Sequence, residues 1–111
     1  MEKNEFAKAL KFSFADSINY AEKAVVSKQK KKKETGKISL FAFDKGEGLS
    51  EHKAPFDAVV MIVDGKADVI IDGKSHLLSA GETIIMPANI SHALRAVEKF
   101  KMVLIMIKSN E

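Results

Sequence analysis

The chain has 111 residues, 46% of them apolar and 30% charged, and no cysteine. This length suits one domain with a core that needs no covalent staple, and the composition is that of a globular chain. The lack of cysteine excludes a disulfide scaffold, a thiolate zinc finger and a thiol nucleophile. The net charge of +3 is local, because Lys28 and the lysines at 30–33 supply five positive charges and the rest of the chain is net −2. A broadly basic nucleic-acid-binding face is therefore not expected.

Residues 1–10 carry acidic groups and no long apolar stretch, unlike a secretory signal. The longest apolar run, 102–107, is far short of the ~20 residues of a membrane helix. A cytoplasmic protein with no membrane partner is expected. Residues 14–23 form the one expected helix, of one or two turns, with Asp16 placed to cap its free amides. Residues 24–29 read as a strand, the lysine run with Glu34, Thr35 and Gly36 as a hairpin tip, and 37–44 as the returning strand. The apolar run 59–63 stops at Asp64-Gly65, and 67–71 stops at Asp72-Gly73. An Asp-Gly pair beside β-branched residues predicts a hairpin turn at each place. Further strands are expected at 75–78, 83–86, 92–97 and 100–108, with Pro87-Ala88-Asn89 turning the chain. His76, just after a turn, is expected at the surface, as is Glu82. Met61, Met86, Met102 and Met106 are expected in the core, with the lining of an adaptable apolar pocket as the alternative for some of them.

Many short strands without intervening helices predict an all-β barrel or sandwich. Two of the strands are apolar on both faces. In 37–43, Ile38, Leu40 and Ala42 oppose Phe41 and Phe43. In 100–107, Phe100, Met102, Leu104 and Met106 oppose Val103, Ile105 and Ile107. One face lines the interior and the other needs a cover. A second copy of the chain is the expected cover, giving a homodimer. The N-terminal segment 6–14 is the alternative.

The stretch 46–96 carries the motifs. Gly81, Pro87, Asn89 and His92 stand at the spacing of the second motif of the cupin superfamily, with Asn89 where glycine is usual. Asparagine also tolerates the left-handed backbone of a tight turn. His52 and Gly65 match the first histidine and the glycine of the first motif, whereas Ala54 and Ala58 stand at its second histidine and its glutamate. Ala96 stands where an asparagine is usual. The chain resembles the small single-domain members of that superfamily over about residues 37–108. The resemblance implies a double-stranded β-helix, the cupin or jelly-roll barrel, with 1–36 as an N-terminal segment and first hairpin of the same single domain, 1–111.

In metal-dependent members of the family, the resemblance implies, three histidines and a glutamate meet at one divalent ion such as iron, manganese, nickel, copper or zinc. Here His52 and His92 keep two of those places. Asp57 is the one nearby carboxylate, but alternation along a strand points it away if Ala58 points inward. The expected cofactor is thus none, or a weakly bound divalent transition metal on His52 and His92, with Asp57 as the candidate third ligand. The leading expectation is a module that binds a small molecule in a partly apolar pocket lined by His52, Ala54, Ala58, His92, Leu94 and Met102. The alternatives are a metal-dependent oxygenase or isomerase using His52, His92 and an unusual third ligand, and a structural dimer with a vestigial pocket. No phosphate-binding glycine loop and no Gly-x-Ser-x-Gly elbow is present.

Overall fold

The computed structural model describes residues 8–33 and 36–107, and the side chains of 8–29 and 36–107. It contains one turn of 3-10 helix, Ala15–Ser17, and seven strands: β1 Val25–Lys33, β2 Gly36–Phe43, β3 Gly48–His52, β4 Ala58–Ile71, β5 Lys74–Ser79, β6 Thr83–Met86 and β7 His92–Ile107. All pairings between strands are antiparallel. Among the described residues no helix is long and apolar enough to cross a membrane.

Two long strands organise the molecule. β4 and β7 pair along most of their length, and each is shared by two sheets. The first half of β4 has β6 on its other side, and the matching second half of β7 has β2 and then β1. The second half of β4 has β5 on its other side, and the first half of β7 has β3. The two sheets therefore continue into each other through a bend in β4 and β7, which gives the double-stranded β-helix.

That bend corrects the reading of Asp64-Gly65 as a hairpin turn. The chain continues through it as one bent strand, with register shifts between Ile62 and Asp64 and between Gly65 and Ala67. Gly65 has φ +80°, and a Cβ there would lie 1.9 Å from the carbonyl oxygen of Lys99. The glycine lets two backbones touch at a corner. The shifts also change which alternate residues face inward, from Ala58, Val60 and Ile62 to Ala67 and Val69, all buried. For the same reason 92–97 and 100–108 are not separate strands. β7 bends beside β4 without a turn, and Lys108 lies outside the described residues. The second Asp-Gly pair does make a hairpin. Asp72 and Gly73 have φ of 53° and 78°, joining β4 to β5 as a two-residue turn with both central residues left-handed.

Other corrections lie at the N-terminal side. The lysines 31–33 are not a tip but the end of β1, paired with Ile38, Lys37 and Gly36. β1 is an edge strand, where charge is well tolerated, and the tip residues 34–35 lie outside the described residues. The helix expected over 14–23 is only the single turn at Ala15–Ser17, and Asp16 does not cap it. Ser13 serves there instead: its Oγ accepts from the Asp16 amide at 3.4 Å, and its carbonyl accepts from Ser17 Oγ at 2.6 Å.

The interior between the sheets holds Phe43, Val60, Ile62, Val69, Phe100 and Met102, all fully buried, with the Phe43 and Phe100 rings stacked at 4.4 Å. The outer face of β2 and β7 carries Leu40, Ala42 and Val103, which are buried by Ile18 with Phe14 and Tyr20 packed alongside. The chain's own N-terminal strap is thus the cover for this part of the face, supplied by residues 14–20 rather than a second copy. Tertiary anchors hold it extended. Lys28 Nζ donates to the Ser17 carbonyl at 2.9 Å, Lys101 Nζ to the Ala15 carbonyl at 2.6 Å, and the Tyr20 hydroxyl to Asp64 Oδ2 at 2.5 Å. Lys99 and Lys101 place their ammonium groups 4.8 and 5.0 Å from the Tyr20 ring centre.

Candidate functional site

The site grows from the pairing of β3 with β7. His52 ends β3, His92 begins β7, and the two are cross-strand partners. Neighbouring side chains in an antiparallel pair come within contact on one face. The two imidazoles accordingly meet edge to face, with ring centres 4.4 Å apart and planes inclined at 71°. His52 is exposed and His92 is only 5% exposed, so the pair joins solvent to the barrel interior. Beside it Ser91 Oγ donates to Glu51 Oε2 at 3.0 Å, a second tie between the same two segments.

Each histidine is oriented by backbone. His52 Nδ1 donates to the Ser50 carbonyl at 2.9 Å and His92 Nδ1 to the Ile90 carbonyl at 3.2 Å. A carbonyl can only accept, so Nδ1 holds the proton of each neutral ring and Nε2 keeps its lone pair. Burial, with the neighbouring His52 charge second, pushes the His92 pKa below the usual histidine range; the bond to Ile90 opposes this shift.

Behind the pair lies a cavity of about 50 Å³, or about 380 Å³ of empty space with its mouth included. The structure brings His52, Ala54, Ala58, His92, Leu94 and Met102 to its wall together. Leu49, Met86, Leu104 and Met106 complete the lining; the two methionines are among those expected in the core or along an apolar pocket, whereas Leu49 and Leu104 were not singled out as lining. Leu104 and Met106 lie on the same alternate face of β7 as Met102, which is a legible signal. Leu49 lies on β3, a strand whose burial pattern is almost wholly exposed and whose sequence gave no periodic cue. Met86 pairs directly with Ala58, which also pairs with Met106, so the small alanine stands between two thioether side chains across three adjacent strands.

Asp57 does not join this group. It is exposed, it is absent from the cavity wall, and its Oδ1 accepts from the Ala88 amide at 2.8 Å, fixing the turn before β7. Alternation along the strand explains this, since Ala58 is buried and inward. Among the described residues no three histidine, cysteine, aspartate or glutamate side chains gather as a metal-holding group. The three-histidine, one-glutamate set does not fit these residues, because Ala54 and Ala58 offer no donor. His76 is also corrected: it is half-buried, with Nδ1 donating to the Val69 carbonyl at 3.1 Å, and stands away from the cavity wall. Asn89 has φ 64° and its amide donates to the Ala54 carbonyl at 2.7 Å, so the turn before β7 is tied to the segment after β3.

Comparison with known proteins agrees with this architecture. Residues 39–108 match the model of the cupin domain. A conserved protein of unknown function from Streptococcus pyogenes is similar over 100% of this chain and 98% of its own, with 32% identity and a TM-score of 0.91. A cupin 2 conserved barrel domain protein from Leptotrichia buccalis has 41% identity and a TM-score of 0.85 over 87% of this chain, which spans 47% of that protein's length. A cupin superfamily protein from Desulfitobacterium hafniense has 28% identity and a TM-score of 0.88 over 96% of this chain and 97% of its own. No curated protein matches the chain. With a matched domain model over most of its length, a double-stranded β-helix and a histidine pair at the mouth of its barrel, the chain belongs to the cupin family.

Proposed function

We propose that the protein is a small-molecule-binding cupin module. It takes a compact, largely apolar ligand whose one polar group meets the His52–His92 pair. The observation that carries this reading is the composition of the cavity wall: two imidazoles at one end, and alanine, leucine and methionine elsewhere. Binding sites of this kind combine an apolar lining with a few placed polar groups. Two Nε2 lone pairs suit a ligand hydroxyl or amine, which donates. Ala54 and Ala58 leave room where larger side chains would narrow the cavity, and the methionines adapt to an irregular shape. A divalent-metal enzyme gains no support from Asp57, so the binding reading leads.

The test is a fragment screen by NMR with assigned histidine ring resonances, run beside native mass spectrometry of protein purified without chelators. Hydrogen-bond-donating fragments should shift His52 and His92, and Leu94→Trp, which fills the cavity, should abolish the response. A screen that moves neither ring would sink the proposal.

The same proposal includes a homodimer. Among the described residues the strap covers the row of Leu40 and Val103, and the next row is half-buried over Val59, Ile105 and Ile38 and exposed at Ile85. Ile85, Val59, Ile105 and Ile38 are successive cross-strand partners over β6, β4, β7 and β2. Ile85 is 58% exposed, and Ile107, further along β7, is 65% exposed. A continuous apolar row of this kind favours a self-complementary partner.

A further inference from the structure

The long strand β7 brings both of its ends to one cavity, with His92 at its start and Met106 near its finish in the wall. Its edge away from β4 is bordered by β3 and then by β2. On that edge the register partner of His92 is His52, and the partner of Met106 is Lys37. Cross-strand partners share a face of the sheet, with Cβ atoms about 5 Å apart. The neighbouring pairs obey the same rule: Ser39, opposite Leu104, is buried, and Phe41, opposite Met102, packs against the interior. Lys37 therefore stands on the cavity face of β2, beside Met106, on a four-carbon stem long enough to present its ammonium group at the mouth.

Lys37 is half-buried, and no carboxylate of the described residues pairs with it. A partly enclosed charge without a counterion is costly. Two acidic residues flanking the site are engaged elsewhere: Glu51 accepts from Ser91 and Asp57 from the Ala88 amide, and neither lines the cavity. On its other side Lys37 has Lys32 as register partner, so like charges occupy opposed positions, which is unfavourable until an anion intervenes. The histidines do not supply a partner for an anion. Their Nδ1 protons go to the Ser50 and Ile90 carbonyls, so they show a ligand only lone pairs.

We propose that the ligand of this cavity is a small carboxylate: its anionic group is held by Lys37 on the β2 side of the mouth, its apolar body lies against the leucines and methionines, and its hydrogen-bond donor meets the histidine pair. The inference rests on the cavity being the ligand site and adds a charged group to that ligand. A single ammonium group is one point charge and matches a monoanion, whereas a dianion would leave a charge uncompensated over an apolar wall. The lysine run of β1, which alone makes the chain net positive, sits at this edge of the sheet and draws anions towards it.

The experiment titrates 6-hydroxyhexanoate and its uncharged counterpart 6-hydroxyhexanamide into the protein at about pH 8, above the ordinary histidine range. Binding is read from assigned histidine-ring and lysine side-chain resonances. The carboxylate should bind at least tenfold more tightly than the amide, and the preference should shrink as salt is added. Lys37→Met should remove the preference and leave the amide affinity unchanged, while Lys37→Arg should keep it. Lys74→Gln, at an exposed position on β5, should leave it intact. In the unmodified protein the carboxylate should move the Lys37 side-chain resonances, a readout that stands even if a variant misfolds. Equal affinity for the two probes, a preference that survives Lys37→Met, or an unmoved Lys37 would each overturn the carboxylate and leave the small-molecule reading standing. Absence of carboxylate binding overturns it too, and the fragment screen then decides the broader reading by itself.

Discussion

His52 and His92 each give their Nδ1 proton to the carbonyl two residues earlier, so the facing rings are held by the same local device on two paired strands. The symmetry stops at burial. His92 is nearly enclosed and His52 is open to solvent.

That difference predicts a pH dependence. The His92 pKa is lowered in the folded protein, by burial first and the His52 charge second. Between the unfolded value near 6.5 and the lower folded one, the unfolded chain therefore binds more protons than the folded one. Stability should be constant above this window and fall as pH drops through it. Thermal melts from about pH 8 to 5 should show this acid slope, and His92→Gln should flatten it. NMR titration should place the His92 midpoint below that of an unfolded histidine. A midpoint above it would refute the assignment.

Restoring the two missing donors should change metal preference. Ala54→His with Ala58→Glu should raise affinity for Ni(II) or Zn(II) at least tenfold, about 1.4 kcal/mol, by calorimetry on chelator-treated protein. Ala58 is buried between Met86 and Met106, so the metal-free variant should also melt lower than the parent. Unchanged divalent affinity would mean that positions 54 and 58 do not face His52 and His92 as described.

Stability should depend strongly on the aromatic stack that closes the interior near the bend. Phe100 is fully buried and lies 4.4 Å from Phe43. Phe100→Ala should cost about 3–5 kcal/mol, from lost burial and the void left behind. Urea denaturation followed by circular dichroism measures it. A loss under about 1 kcal/mol would show that the site collapses around the smaller side chain.

Sedimentation equilibrium at micromolar concentration tests the homodimer. The expected mass is twice 12.2 kDa. Ile85→Glu, at an exposed position, should shift it to a single chain without lowering the melting temperature of the monomer. Ile105→Glu should weaken the dimer too. A single-chain mass for the unmodified protein would reject the arrangement.

Much of this fold was legible because punctuation and alternation survive in single strands. The stretch 83–86 and the Asp72-Gly73 turn follow directly from local chemistry. Asp64-Gly65 misled because an identical dipeptide serves a different purpose: a close backbone approach at Lys99 that only the tertiary structure creates. The short helix expected within 14–23 is there as one turn, and it goes no further because anchors at Lys28, Asp64 and Lys101 draw the segment across a sheet. The cavity was half legible. His52 and His92 stood in motif positions, and alternation placed Met102. β3 has four exposed residues in five, so nothing in its composition marked Leu49 as lining; methionine lining was expected in kind, and strand register supplies which thioethers flank Ala58.

β7 pairs with β2, β3 and β4, so every sheet-forming neighbour of the cavity except β6 is stitched to one sixteen-residue segment. Its partnership with β2 joins the last described residues to a strand near the start of the sequence, and such distant closure must be nearly complete before it is rewarded. Amide protons of Phe100 to Leu104 should therefore exchange only through global opening, while those of β3 exchange through local excursions that leave the barrel intact. Access to the enclosed His92 would then be governed by how often β3 lifts, on a timescale set apart from the lifetime of the folded molecule.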